Sequence, residues 1–294
     1  MVRTGKARRL TAPWMGVMVF FLEFLLMGLG IGLLGTLVGA GGGFILTPLL
    51  LLYFPDRPSE AIAALSLSVV TLNALSGSIA YYRLGRIDLK TSLVYGSVAL
   101  PWVILGVFST SRVERGPFDI ILGLALLGLC ASLVWPSSPG PAGEPEGDNP
   151  SLVLRRLVDR SGRVFEYRFR YRLGIWLSVA VGFLSSFMGI GGGPIYVPLM
   201  IRVLRVPPPI ATATSQCLLL LTVFAAALLH LISGHLAGMG DLILPLALGM
   251  VAGAQAGAAI SGRVRSAVLT RILAALLVLV SLQVLYRGAV ALLP

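Results

Sequence analysis

Val38-Gly39-Ala40-Gly41-Gly42-Gly43-Phe44-Ile45-Leu46-Thr47-Pro48-Leu49 interrupts one long apolar run of this chain, and Met188-Gly189-Ile190-Gly191-Gly192-Gly193-Pro194-Ile195-Tyr196-Val197-Pro198-Leu199 interrupts another. The two stretches align without a gap, Gly39 on Gly189 and Pro48 on Pro198, at an offset of 150 positions. Four glycines in five positions break a helix, because glycine loses the most backbone freedom on ordering. A break of this kind, repeated inside apolar sequence, predicts a binding site built from two half-sites.

The surrounding composition says where those half-sites lie. The chain has 294 residues, 56% hydrophobic and 12% charged, with a mean hydropathy of +0.91. A soluble domain carries about 25% charged residues, so most of this surface faces lipid. Apolar runs near 16–38, 60–82, 91–111, 117–135, 173–189, 209–233, 240–262 and 267–291 approach the roughly 20 residues of a spanning helix. The pieces after the glycines, 44–54 and 194–204, have 11 residues each and cover about half a bilayer. The expected class is an all-α polytopic membrane protein of the inner membrane. Each half holds four long helices and one short glycine-linked half-helix. The expected units are 1–15 (cytoplasmic N-terminus), 16–135 (first repeat), 136–172 (linker and hairpin) and 173–291 (second repeat).

The halves also match outside the glycines. Gly85 and Gly234 occupy equivalent loops, and Gly106 and Gly257 each lie six residues before an Arg-Val pair, Arg112-Val113 and Arg263-Val264. The composition changes once, at 136–172. Five prolines between 136 and 150 mark a linker. Beyond it, Phe165, Tyr167, Phe169 and Tyr171 alternate with Glu166, Arg168, Arg170 and Arg172, after the turn-forming Asp159-Arg160-Ser161-Gly162. This period of two predicts a small β-hairpin at the membrane surface, its aromatics against headgroups or helix ends and its Arg toward water or anionic lipid.

The net charge of +11 reads as loop charge that orients the chain. The Arg are spread over many loops and no nucleic-acid motif is present, so nucleic acid is not an expected partner. The expected partners are a small anionic substrate and membrane lipids, with a homo-oligomer left open. The basic N-terminus (Arg3, Lys6, Arg8, Arg9) precedes an apolar run too long for a cleaved leader. It and the central loop both favour the cytoplasm, which gives the first half an even number of crossings. Arg202 and Arg205, on the side of Arg263 and Arg265, argue the other way. The larger charge of the central loop decides for even crossing, and the parallel or inverted relation of the halves stays open. Cys130 and Cys217 lie in apolar runs and read as small buried hydrophobes.

Three sets of residues could carry chemistry. First, free N–H groups at Gly41, Gly42, Gly43 and Phe44 and at Gly191, Gly192 and Gly193 would form anion-binding nests where each short helix begins, with Pro194 suited to a first turn. Second, neutral donors follow each break: Ser66, Ser68, Thr71, Asn73 and Ser76, then Thr212, Thr214, Ser215, Gln216 and Thr222. Ser66 and Gln216 are equivalent by the 150 offset. Ser66, Asn73, Thr214, Ser215 and Gln216 join the nests as substrate-binding candidates. Third, Glu23 and His230 are ionisable groups inside the spans, and so candidates for proton coupling; Asp119 and Asp241 sit at span edges. Only two histidines occur, at 230 and 235, and no spacing supports a metal or other cofactor. Ser76 with His230 is a weak serine-nucleophile pattern, and an enzyme is not expected.

The doubled G-x-G-G-G-x-x-x-x-P pattern, from Gly39 to Pro48 and from Gly189 to Pro198, resembles the sulfite exporter family TauE/SafE. So do Ala211-Thr212-Ala213-Thr214-Ser215 and the Asp159-to-Tyr167 hairpin. The similarity spans roughly 20–290. The first half departs from it, since Ala61 to Ser66 reads Ala-Ile-Ala-Ala-Leu-Ser without a Thr-Ser pair. The resemblance implies a secondary transporter of small sulfur-containing oxyanions, sulfite or short organosulfonates, working by alternating access between the repeats. A small-anion channel, or less readily an intramembrane enzyme, are the alternatives.

Overall fold

A computed structural model describes residues 13–134, 152–261, 274, 278 and 281–291. The basic N-terminus, the Pro-rich linker 136–150, Arg263, Arg265 and residues 267–273, 275–277, 279 and 280 of the run 267–291 lie outside the described residues. The first half contributes α1 (Pro13–Val38), α2 (Gly43–Tyr53), α3 (Ser59–Arg83), α4 (Leu89–Thr110) and α5 (Arg115–Val134). A hairpin of β1 (Leu152–Val158) and β2 (Val164–Arg170) follows. The second half contributes α6 (Tyr171–Phe187), α7 (Gly193–Pro198), a π-helical turn (Leu199–Val203), α8 (Pro208–Ile232) and α9 (Gly240–Ile260). Residues 281–291 are helical as well. Among the described residues, five helical stretches are long and apolar enough to cross a membrane: Gly16–Val38, Ser59–Arg83, Leu89–Thr110, Pro208–Ile232 and Gly240–Ile260.

Both short helices begin where the sequence breaks. Gly39 and Gly41 have φ of 77° and 71°, and their equivalents Gly189 and Gly191 have 65° and 72°. These left-handed positions end the preceding helix and turn the chain into the next. The second short piece differs from the expected continuous helix 194–204. Pro198 lacks the N–H that would bond the carbonyl four residues back, and α7 passes into the π-helical turn at that point.

Helix pairing places the two breaks together. α1 lies along α9 and α4 along α6, while α3 packs on α8 and α9, and α8 also on α4. Exchanging α1 with α6, α3 with α8 and α4 with α9 turns each of these pairings into another of the set. The pairing pattern is therefore two-fold about the α3–α8 contact. Small residues allow the close approach along the outer seams. A Cβ on Gly106 would lie 2.5 Å from the Phe183 carbonyl oxygen across α4–α6, and one on Gly257 would lie 2.5 Å from that of Leu33 across α1–α9.

β1 and β2 pair antiparallel, Leu152 opposite Arg170 through Val158 opposite Val164. The turn is built on Asp159, whose Oδ1 accepts from the Ser161 and Arg163 amides at 2.9 and 3.0 Å and from the Ser161 hydroxyl at 2.6 Å. The aromatic face docks on helix ends rather than on open membrane. Tyr167 and Phe169 are buried in one apolar cluster with Tyr95, Tyr196, Met200 and Ile210.

Candidate functional site

The two glycine breaks touch each other through their backbones. A Cβ on Gly43 would overlap the Ile190 carbonyl oxygen, and a Cβ on its equivalent Gly193 would lie 2.7 Å from Ala40 Cα. Ala40 and Ile190 are themselves equivalent positions, so the contact is reciprocal. The side chain of Leu219 on α8 lies against both Gly41 and Gly191, with Val70 of α3 beside them. Every residue from Gly39 to Leu46 is buried, as is every residue from Phe187 to Pro194.

Among the described residues, no hydrogen bond reaches the N–H groups of Gly42, Gly43 and Phe44, nor those of Gly191, Gly192 and Gly193. The Gly41 N–H is used within the protein, donating to the Gly35 carbonyl at 3.1 Å. Helix-start amides carry a partial positive charge, equivalent to about half an elementary charge on a full helix. Two such groups in an apolar interior suit one anion between them far better than they suit each other.

The carbonyls of the breaks, by contrast, are tied down. Asn73 Nδ2 donates to the Gly41 carbonyl at 2.9 Å, and Asn73 Oδ1 faces the Thr36 hydroxyl at 3.4 Å. Ser215 Oγ lies 2.9 Å from the Gly39 carbonyl, and Thr47 Oγ1 lies 2.5 Å from the equivalent carbonyl of Gly189. Thr47 Oγ1 is also 2.7 Å from Ser66 Oγ. A carbonyl can only accept, so Thr47 gives its proton there and Ser66 supplies the proton of the hydroxyl pair. The structure thus brings Ser66, Asn73 and Ser215 to the breaks, as polar supports of the backbone. Thr214 sits further along, its Oγ1 accepting from the Asp88 amide at 3.0 Å. Ser68, Thr71 and Thr222 bond back to carbonyls of their own helices.

Gln216 stands apart from this set. It is fully buried, and among the described residues neither of its side-chain polar atoms has a hydrogen-bond partner. The amide lies against Gly77 of α3, where a Cβ would come within 2.7 Å of Nε2. Leaving a buried donor or acceptor unpaired costs about 1–3 kcal/mol. Helix-to-helix bonding, the ordinary role of a membrane amide, is therefore not what this side chain does.

Several organising residues carried little sequence signal. Thr36 and Thr47 are lone hydroxyls in apolar pieces, and Asp88 is one acid in a loop. Asp88 is buried and caps α4 through the Thr91 amide at 3.1 Å. It also accepts from the Tyr167 hydroxyl at 3.0 Å and lies 3.3 Å from Arg155 Nε. Arg155 and Tyr167 are cross-strand neighbours, so Arg155 turns inward rather than to water. Asp88 thereby joins the hairpin to α4 and, through its own amide, to Thr214 of α8. A second tie runs from Arg86 to Asp159 at 3.3 Å. The Ser161 hydroxyl, the Arg163 and Ser161 amides and the Arg86 guanidinium hold the Asp159 carboxyl below its ordinary range. Burial, with the Asp88 carboxylate beside it, pushes the Tyr167 phenol up.

The ionisable candidates lie away from the breaks' hydrogen bonds. The Tyr53 hydroxyl donates to Glu23 Oε1 on the outer face of α1. His230 is buried, and its Nδ1 lies 3.0 Å from that of His235. Ser76 Oγ donates to the Val251 carbonyl at 3.0 Å and accepts from Gln255 Nε2 at 2.8 Å. Ser76 and His230 make no hydrogen bond with each other, and no pair of nucleophile and base forms there.

The sequence profile described as Sulfite exporter TauE/SafE matches residues 24–284. The chain is 27% identical over 274 residues to the probable membrane transporter protein YunE of Bacillus subtilis, covering 91% of this chain and 98% of that protein. It is 26% identical to the probable membrane transporter protein YjnA of the same organism, covering 90% and 99% respectively. A probable membrane transporter protein of Methanocaldococcus jannaschii is 24% identical, over 76% of this chain and 78% of that one. No solved structure matches the chain significantly.

Proposed function

The chain belongs to the sulfite exporter TauE/SafE family, and from that premise we propose that it is a secondary transporter of small sulfur-containing oxyanions, sulfite or short organosulfonates. The observation that carries this reading is the meeting of two sets of unpaired helix-start amides, Gly42–Phe44 and Gly191–Gly193, in a buried apolar setting. Such a site binds an anion through neutral donors, which also lets the anion leave again. The names of its relatives, probable membrane transporter proteins, agree with transport across a membrane.

Both breaks are buried, and Leu219 and Val70 cover them. The anion would enter where the halves part on one side and leave where they part on the other, rocking about the α3–α8 contact. Ser66, Asn73, Thr214, Ser215 and Gln216 would shape the site beside the amides, and Glu23 or His230 would carry any coupled proton.

Counterflow tests this. Proteoliposomes preloaded with unlabelled sulfite or a short sulfonate should take up the labelled anion faster than empty ones. Uptake without acceleration by internal substrate would replace the carrier with a channel. No uptake of any sulfur oxyanion would overturn the substrate class.

A further inference from the structure

We infer that Gln216 is the specificity-determining residue of the site, and that it selects oxyanions bearing a hydrogen-bond donor beside the anionic group, such as a hydroxyl- or amino-substituted short sulfonate. The inference deepens the proposed function and rests on it.

The argument begins with the comparison of the halves. Ser66 and Gln216 are equivalent positions, and so are Thr47 and Val197. In the first half Thr47 pairs with Ser66 and with the Gly189 carbonyl, so the polar position is closed from within. In the second half Val197 offers no hydroxyl. Gln216 is larger than Ser66 and, among the described residues, is unpaired at both ends of its amide. The first half-site is complete without a ligand, and the second is not.

The place of Gln216 ties it to the breaks. The preceding residue, Ser215, holds the Gly39 carbonyl. Leu219, one turn further along α8, touches Gly41 and Gly191. Gly77, which gives the amide room, lies one turn from Asn73, whose Nδ2 holds Gly41.

The chemistry of the amide then sets the ligand class. The helix-start amides only donate, so they suit the acceptor oxygens of an anion. Gln216 presents a donating NH2 group at Nε2 and an accepting carbonyl at Oε1. An acceptor-only anion would satisfy Nε2 and set its oxygens against Oε1, whichever way the amide is turned. A ligand with a hydroxyl or amine next to its anionic group satisfies both. A polar group built to bond such a hydroxyl discriminates strongly against the analogue that lacks it, because the unpaired amide is then left buried.

Isethionate (2-hydroxyethanesulfonate) and ethanesulfonate differ only by that hydroxyl and make the test. Wild-type protein in proteoliposomes should transport isethionate at least about tenfold more effectively, as kcat/KM, than ethanesulfonate. Gln216→Met keeps the volume and loses both polar atoms. It should bring the ratio of the two near one, with isethionate flux falling by more than ethanesulfonate flux. Val197→Thr offers the amide an internal partner, and should lower the ratio in a protein with an intact Gln216. Equal wild-type fluxes of the two sulfonates, or an unchanged ratio in Gln216→Met, would overturn the inference and leave the carrier reading standing. Failure of wild-type protein to move sulfite or either sulfonate would remove both.

Discussion

Gly43 sits directly on the backbone of Ile190, with no room for a Cβ between its Cα and the Ile190 carbonyl oxygen. Gly43 has an ordinary helical conformation, so the constraint is contact between the two breaks rather than backbone strain. Gly43→Ala should therefore push the breaks apart. The expected cost is about 1–3 kcal/mol of stability and at least a tenfold loss of flux (about 1.4 kcal/mol). Gly30, on α1, has open space where a Cβ would go. Gly30→Ala should leave both unchanged. Thermal unfolding in detergent and proteoliposome flux check the pair, and equal behaviour of the two variants would refute the close contact.

The hairpin should loosen when its bond to Asp88 is cut. Tyr167→Phe keeps the ring in its apolar cluster and removes the hydroxyl that donates to Asp88. A hydrogen bond to a charged group contributes about 1.5–3 kcal/mol. Limited proteolysis should then cleave the turn at Arg160 and Arg163 faster, by roughly tenfold or more if local opening governs access. Hydrogen exchange on β1 and β2 should rise in parallel. Unchanged protection would mean that apolar docking alone holds the hairpin.

The Asp159 turn should also respond to acid, with a definite sign. Its carboxyl titrates below its ordinary value of 3.8 in the folded protein. A depressed folded value means that the charged form stabilises the turn. That stabilisation is present above the ordinary value and fades as pH falls through the folded one. Turn protection should therefore be flat near neutral pH and drop only in strongly acidic buffer. Asp159→Asn should remove the acid-dependent step, because the amide does not titrate. A step that persists in the variant would assign it to another carboxyl.

Much of this architecture was legible in the sequence because it depends on local chemistry. Glycine strings in apolar runs announced both short helices, and the period of two from Phe165 to Tyr171 announced the hairpin, down to its Asp159–Gly162 turn. What stayed hidden depends on distant partners. Nothing local says that Arg155 and Tyr167 turn to Asp88, or that Thr47 reaches Gly189, 142 residues away. The candidate donors were visible as residue types. Their division into backbone supports such as Asn73 and the unpaired Gln216 is set by tertiary contacts, which periodicity cannot report.

The Thr47 hydroxyl gives a final test of how the first half closes. Thr47 serves both Ser66 and the Gly189 carbonyl, whereas Ser66 serves only Thr47 in this arrangement. The two truncations should therefore be unequal. Ser66→Ala leaves Thr47 bonded to Gly189 and should cost no more than about 1 kcal/mol. Thr47→Val, which gives the first half the residue found at 197, strands a buried carbonyl and a buried hydroxyl together. It should cost about 2–6 kcal/mol, two unsatisfied groups at the usual penalty. The double variant should be less destabilised than the sum of the two, since the Ser66 hydroxyl is no longer there to be stranded. Strict additivity in detergent unfolding would mean that Thr47 and Ser66 do not interact. Their carrier activity supplies the functional half of the test. If the first half closes itself while the second reads the substrate, Thr47→Val should slow flux without changing the preference between isethionate and ethanesulfonate.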